Sequence, residues 1–135
     1  MVYTVGVRDS FMVAHSFQGE AFGPAQGLHG ATYTVDCEFR SNNLQPQLNW
    51  VMDIGEATQI LKDVLSMYNY KNLDQIEEFQ GQNTTTEYLA KVIHDKVLSK
   101  AKQLGFQGTL RVCLMESFRA WASYESCEDR KGVIR

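Results

Sequence analysis

The sequence predicts an α+β fold: a four-stranded antiparallel sheet, in chain order β-β-α-α-β-β, with two helices on one face. Three observations predict it. Apolar and polar residues alternate with a period of two near the start of the 135-residue chain and again near its end, as half-buried strands require. Two central segments carry apolar residues at helical spacing instead. The strand patterns occur in pairs on either side of the helical pair, and two hairpins joined edge to edge under two helices make a two-layer unit.

β-Forming residues predominate from Val2 to Phe17, and Tyr33, Val35, Cys37 and Phe39 alternate with Thr32, Thr34, Asp36 and Glu38. Between these strands, Gln18 to Gly27 contains Gly19, Gly23, Pro24 and Gly27 and reads as a loop. Ser41-Asn42-Asn43, with Pro46 beyond, ends the second strand. Asp53 stands three residues before Glu56, an N-cap arrangement opening a helix with Ile54, Ala57, Leu61, Val64, Leu65 and Tyr68 on its buried face. Thr84 and Glu87 have capping-box spacing at the start of a second helix, whose buried face is Leu89, Val92, Ile93, Val97 and Leu104 and whose stop is Gly105. Two further strand patterns follow, around Leu110, Val112 and Leu114 and around Trp121, Ser123 and Glu125. Residues 1–126 are expected to form one domain, with 127–135 a charged C-terminal tail.

Composition narrows the function. The net charge is −3 and the basic residues are scattered, which argues against nucleic acid as a partner. No apolar run approaches a membrane span, and the N-terminus lacks a basic-then-apolar leader, so a cytoplasmic protein with no membrane partner is expected. Cys37, Cys113 and Cys127 are odd in number and form no C-x-x-C pair; the two on strands read as buried structural thiols.

Several short motifs carry more information in their order than singly. Ala14-His15, Phe22-Gly23, His29-Gly30 with Tyr33, Val51-Met52-Asp53, Lys71-Asn72-Leu73-Asp74, Thr85-Thr86-Glu87 and Glu116 before a last strand with Tyr124 run in sequence from Val13 to Tyr124. In these motifs the chain resembles the 6-pyruvoyltetrahydropterin synthase and 6-carboxytetrahydropterin synthase family. The resemblance implies the tunnelling fold, assembled as barrels of three subunits stacked into hexamers, with pterin pockets between subunits. It also implies a zinc ion on three histidines, and a cysteine thiolate assisted by an Asp-His pair.

Four positions depart from that pattern. Ala31 stands where the resemblance implies the third zinc histidine, beside His15 and His29 at the other two ligand positions. Ala25, Asn69 and Tyr70 stand at the positions of the cysteine, aspartate and histidine. Alanine has no ionisable group, asparagine cannot stabilise a cation as a carboxylate does, and a tyrosine with a pKa of about 10 is a poor base at neutral pH. The expectation is therefore a pterin-binding homologue with no zinc cofactor, no catalytic triad and none of the family's carbon–oxygen lyase activity. A residual metal site would need a new donor, with Glu20 or His94 as candidates; otherwise His15 and His29 remain as pocket walls that hydrogen-bond ligand or water. Glu116 is the expected anchor for the ring, accepting from a ring nitrogen and an exocyclic amine, with Thr85 and Thr86 lining the pocket. The alternative is a metal-independent enzyme acting on a pterin or purine-like substrate, with Tyr70, His15 or His29 moving protons.

Overall fold

The computed structural model describes residues 1–126, so the expected tail at 127–135 and Cys127 lie outside the described residues. Along the chain come β1 (Tyr3–His15), β2 (His29–Ser41), α1 (Ile54–Ser66), β3 (Lys71–Asn72), α2 (Thr86–Gln103), β4 (Thr109–Met115) and β5 (Trp121–Glu125). Their order across the sheet is β3-β1-β2-β4-β5. The two expected hairpins are present, and β2 joins β4 antiparallel between them. A fifth strand is added at the edge, where Lys71 and Asn72 pair in parallel with Val13 and Ala14 and make the sheet mixed. Two residues carry no period to read. Their pairing is imposed by the preceding turn, in which Tyr70 adopts a φ of 62° and donates its N–H to the Met12 carbonyl at 2.7 Å.

One sheet face supplies Phe11, Val13, Tyr33, Val35, Phe39, Leu110, Val112 and Leu114 to the core. Ala57, Ile60, Leu61, Val64 and Leu65 of α1 and Leu89, Ala90, Ile93, Val97 and Ala101 of α2 complete it. Cys37 lies fully buried among them, and burial pushes its thiol up to about 12, so it stays protonated at neutral pH. The other face is polar. Arg8 holds its cross-strand partner Asp36 through two hydrogen bonds, 2.5 and 2.9 Å, and Glu38 receives Arg40 and its cross-strand partner Arg111. Opposite charges at paired positions reinforce the register.

Both helix starts and the α2 stop follow local chemistry, with corrections. Asp53 caps α1 by accepting from the Gly55 N–H, as expected, but Ile54 is 59% exposed and the buried face begins at Ala57. For α2 the cap is Thr85, which accepts from the Tyr88 N–H; Thr84, at the expected capping position, is instead turned into the core. Leu104 is also not buried: it is the C-cap, and Phe106 enters the core in its place. Gly105, at a φ of 95°, donates to Lys102 while Phe106 donates to Ala101, the paired bonds of a Schellman stop.

Among the described glycines, Gly108 marks the tightest approach. A Cβ there would lie 1.8 Å from the Arg40 carbonyl oxygen and 2.7 Å from the Phe106 ring, so the α2–β4 connection can pass β2 only without a side chain. Gly6 differs, since its Cβ would make only an ordinary 3.6 Å contact. Gly108→Ala is expected to cost about 1–3 kcal/mol of stability, as overpacking does, while Gly6→Ala stays within about 0.5 kcal/mol of the parent. Urea-unfolding midpoints of the two variants check this.

Candidate functional site

The end of β1, the start of β2, the start of α2 and the end of β4 meet at one end of the sheet. The hairpin register sets His15 directly opposite His29, and their rings lie 4.7 Å apart, centre to centre. Phe17 packs 4.6 Å from the His15 ring and 5.5 Å from the His29 ring, and Phe22 lies 4.8 Å beyond it. The connection between the strands folds as short 3-10 turns over Glu20–Gln26, broken at Gly23, whose φ of 55° suits glycine.

Each imidazole is oriented by a hydrogen bond through Nδ1. His15 Nδ1 and the hydroxyl of Thr84 are 2.9 Å apart, and both residues are buried. His29 Nδ1 donates to the Gly27 carbonyl at 2.9 Å. A carbonyl only accepts, so the neutral His29 ring carries its proton on Nδ1 and presents Nε2 as an acceptor. Burial, and then the neighbouring His29, push the pKa of His15 down from its ordinary value; Asp74 and Glu116 oppose this less strongly.

The chain leaving His15 is clamped from the segment before α2. Asp74 accepts from the Ser16 N–H at 3.2 Å and from its hydroxyl at 2.5 Å. Asn83 closes a two-bond ring with Gln18, accepting from its N–H and donating to its carbonyl. Sequence reasoning missed Thr84, Asp74 and Asn83 as supports of the site. Thr84 had a sufficient local explanation as a cap, and the other two act on residues more than fifty positions away.

Glu116 follows β4, and its Oε2 accepts from the Thr86 hydroxyl at 3.2 Å. Tyr33, buried on β2, adjoins Thr86, and burial raises its phenol above the ordinary value. Thr85 differs from Thr86 because its oxygen is engaged as the α2 cap. The structure thus joins Thr86 to Glu116 and His15 to His29. All four lie close enough together for Glu116 to act electrostatically on His15.

The remaining candidate positions contribute little to this cluster. Ala31 lies on the same face of β2 as His29 and Tyr33, and its methyl packs against the core. Ala25 offers its carbonyl to the Phe17 N–H. Asn69 accepts from the Met12 N–H through its side chain, and Tyr70 is 79% exposed beside it at the β1 edge. His94 is removed as a third donor because both ring nitrogens are engaged elsewhere, one with Asp95 and one with Ser126. Glu20 is exposed, and among the described residues no three His, Cys, Asp or Glu side chains gather closely enough to hold a metal. Zinc normally takes three protein ligands or more, and the donor set here offers two imidazoles.

The family model for 6-pyruvoyl tetrahydropterin synthase matches residues 4–127. Among solved structures, the 6-pyruvoyl tetrahydropterin synthase of Caenorhabditis elegans superposes with a TM-score of 0.81 at 22% identity, over 94% of this chain and 97% of that one. The Plasmodium vivax enzyme of the same name gives 0.74 at 15% identity over 93% and 98%, and the Plasmodium falciparum one 0.72 at 15% over 92% and 97%. At these identities the likeness establishes the fold. No curated protein matches the sequence significantly. The described residues include no helix long and apolar enough to cross a membrane. With the family model spanning nearly the whole chain, and the fold shared with solved members, the protein belongs to the 6-pyruvoyl tetrahydropterin synthase family.

Proposed function

We propose that this chain binds a pterin or a closely related heterocycle without zinc, and does not carry out the family's lyase reaction. The observation that carries the reading is the contrast between two groups of positions at one site. Glu116 and Thr86, the positions expected to recognise the ring, form a connected pair. The positions expected to hold metal or move protons are Ala31, Ala25, Asn69 and Tyr70.

The chemistry of recognition follows from Glu116. Thr86 uses one lone pair of Oε2, which leaves Oε1 and the rest of Oε2 for two parallel N–H donors on a flat ring edge. A cyclic amide beside an exocyclic amine presents such an edge. Phe17 and Phe22 supply aromatic surface near the two histidines, and the His29 Nε2 acceptor suits a hydroxyl on a ring substituent. A zinc ion would supply the Lewis acid of the metal-dependent step, but with Ala31 at the third ligand position only His15 and His29 would hold it, fewer than the three protein ligands such a site takes.

A homo-oligomer, a hexamer of two stacked trimers in the cytoplasm, belongs to the same reading. The sheet ends on one side in the two-residue β3 and on the other in β5, where Trp121 is 61% exposed beside a hairpin tip with Phe118 87% exposed. An edge strand with apolar side chains favours pairing with a further copy.

Glu116→Ala is expected to weaken binding of a reduced pterin by about 30-fold or more, since charged hydrogen bonds contribute roughly 1.5–3 kcal/mol each. Thr86→Val should weaken it less, because the carboxylate remains. Fluorescence titration of the parent and both variants reads this directly; unchanged affinity in Glu116→Ala refutes the anchor. A second expectation concerns pH. His15 has a folded pKa below its ordinary 6.5, so the unfolded chain binds the proton more readily. Its contribution to stability is present above about pH 6.5 and is lost as pH falls through the lowered folded value. His15→Gln should therefore flatten the acid side of the stability profile, measured as melting temperature from pH 7.5 to 5.

A further inference from the structure

A second cluster of reactive side chains lies on α2, well away from the ring-binding residues. His94 stands eight residues beyond Thr86, about 12 Å along the helix axis. Its Nδ1 is 2.9 Å from Asp95 Oδ1, and its Nε2 is 2.6 Å from the hydroxyl oxygen of Ser126, just past the end of β5. A carboxylate only accepts, so Nδ1 carries the proton of the neutral ring and Nε2 presents a lone pair. The Ser126 hydroxyl is therefore the donor, with its proton directed at a base.

The surroundings hold this geometry. The ring of His94 is 1% exposed and meets the Tyr124 ring nearly edge-on at 4.8 Å. The Ser126 backbone is fixed by its N–H to the Leu110 carbonyl at 2.9 Å, yet the residue keeps 9% of its surface. Asp95 uses its second oxygen for Lys91 at 3.0 Å. Burial alone would raise the Asp95 carboxyl, but the hydrogen bonds from His94 and Lys91 outweigh it and hold the carboxyl below its usual range.

We propose that Ser126, His94 and Asp95 form a nucleophilic serine site, separate from the ring pocket, that accepts small activated acyl or phosphonyl groups. Nucleophile, base and orienting carboxylate stand in hydrogen-bonded sequence, the arrangement that identifies such a relay irrespective of fold. In the acyl case Ser126 Oγ attacks the carbonyl carbon and its proton passes to His94 Nε2. The bond to the leaving oxygen then breaks, that oxygen takes the proton from Nε2, and an ester remains on Ser126. Asp95 is a positioning residue that keeps Nδ1 protonated throughout. The small exposure of Ser126 restricts the site to compact donors.

The test uses the full chain and a small alkyl fluorophosphonate, with intact mass and peptide mapping as readouts. Attack by Oγ forms the P–O bond and releases fluoride, leaving a single adduct. The proposal expects that adduct on Ser126, its loss in Ser126→Ala, and a rate at least about tenfold lower in Asp95→Asn, a substitution at a half-exposed position that leaves the core intact. Circular dichroism and melting temperature confirm that both variants fold. Absence of an adduct on Ser126, labelling no faster than at other serines, or an unchanged rate in Asp95→Asn overturns it.

Discussion

The register in which β1 and β2 pair is the constraint on which the site depends. Running unbroken from Tyr3 opposite Ser41 to His15 opposite His29, it brings two imidazoles to one end of the sheet and directs Phe11, Val13, Tyr33 and Val35 into one core. A slip of one residue in either strand would carry its inward set to the opposite face and separate the histidines. Cross-strand chemistry opposes the slip on both faces. Phe11 stacks on Tyr33 at 5.4 Å inside, and Arg8 pairs with Asp36 outside. Exposed ion pairs contribute little to stability individually, yet a pair that fits one register and no other helps to specify it.

Beyond the hairpin, the site is assembled by polar contacts that tie its end to the approach to α2. Thr84 orients His15, Asp74 holds Ser16 and Asn83 holds Gln18, so three successive parts of the strand exit are fixed by a segment distant in sequence. The His15–Thr84 bond is buried, where an unpaired imidazole or hydroxyl nitrogen or oxygen carries a desolvation cost. Such clamps fix the strand exit without supplying chemistry. They suit the recognition role proposed for the site.

Much of this was legible in the sequence because periodicity reports burial. The alternation at Tyr33, Val35, Cys37 and Phe39 became a fully buried strand face, and the stripe at Ala57, Leu61, Val64 and Leu65 became the buried side of α1. Gly105 marked the helix stop through its backbone freedom. What could not be read depended on distant partners. The Lys71–Asn72 strand exists only because Met12 lies beside the preceding turn, and Thr84 exchanged a plausible capping role for a bond to a residue sixty-nine positions away. Ile54 and Leu104 matched the helical period yet sit at helix ends, where period alone does not determine burial. The joining of Glu116 to Thr86 likewise needs two separate elements and emerges only in three dimensions.

The proposed function requires that the ring be bound without a metal. Calorimetric titration of a reduced pterin into the protein, performed before and after exhaustive treatment with a zinc chelator, addresses it most directly. The same stoichiometric binding is expected in both samples. Binding that disappears on chelation and returns with zinc would contradict it.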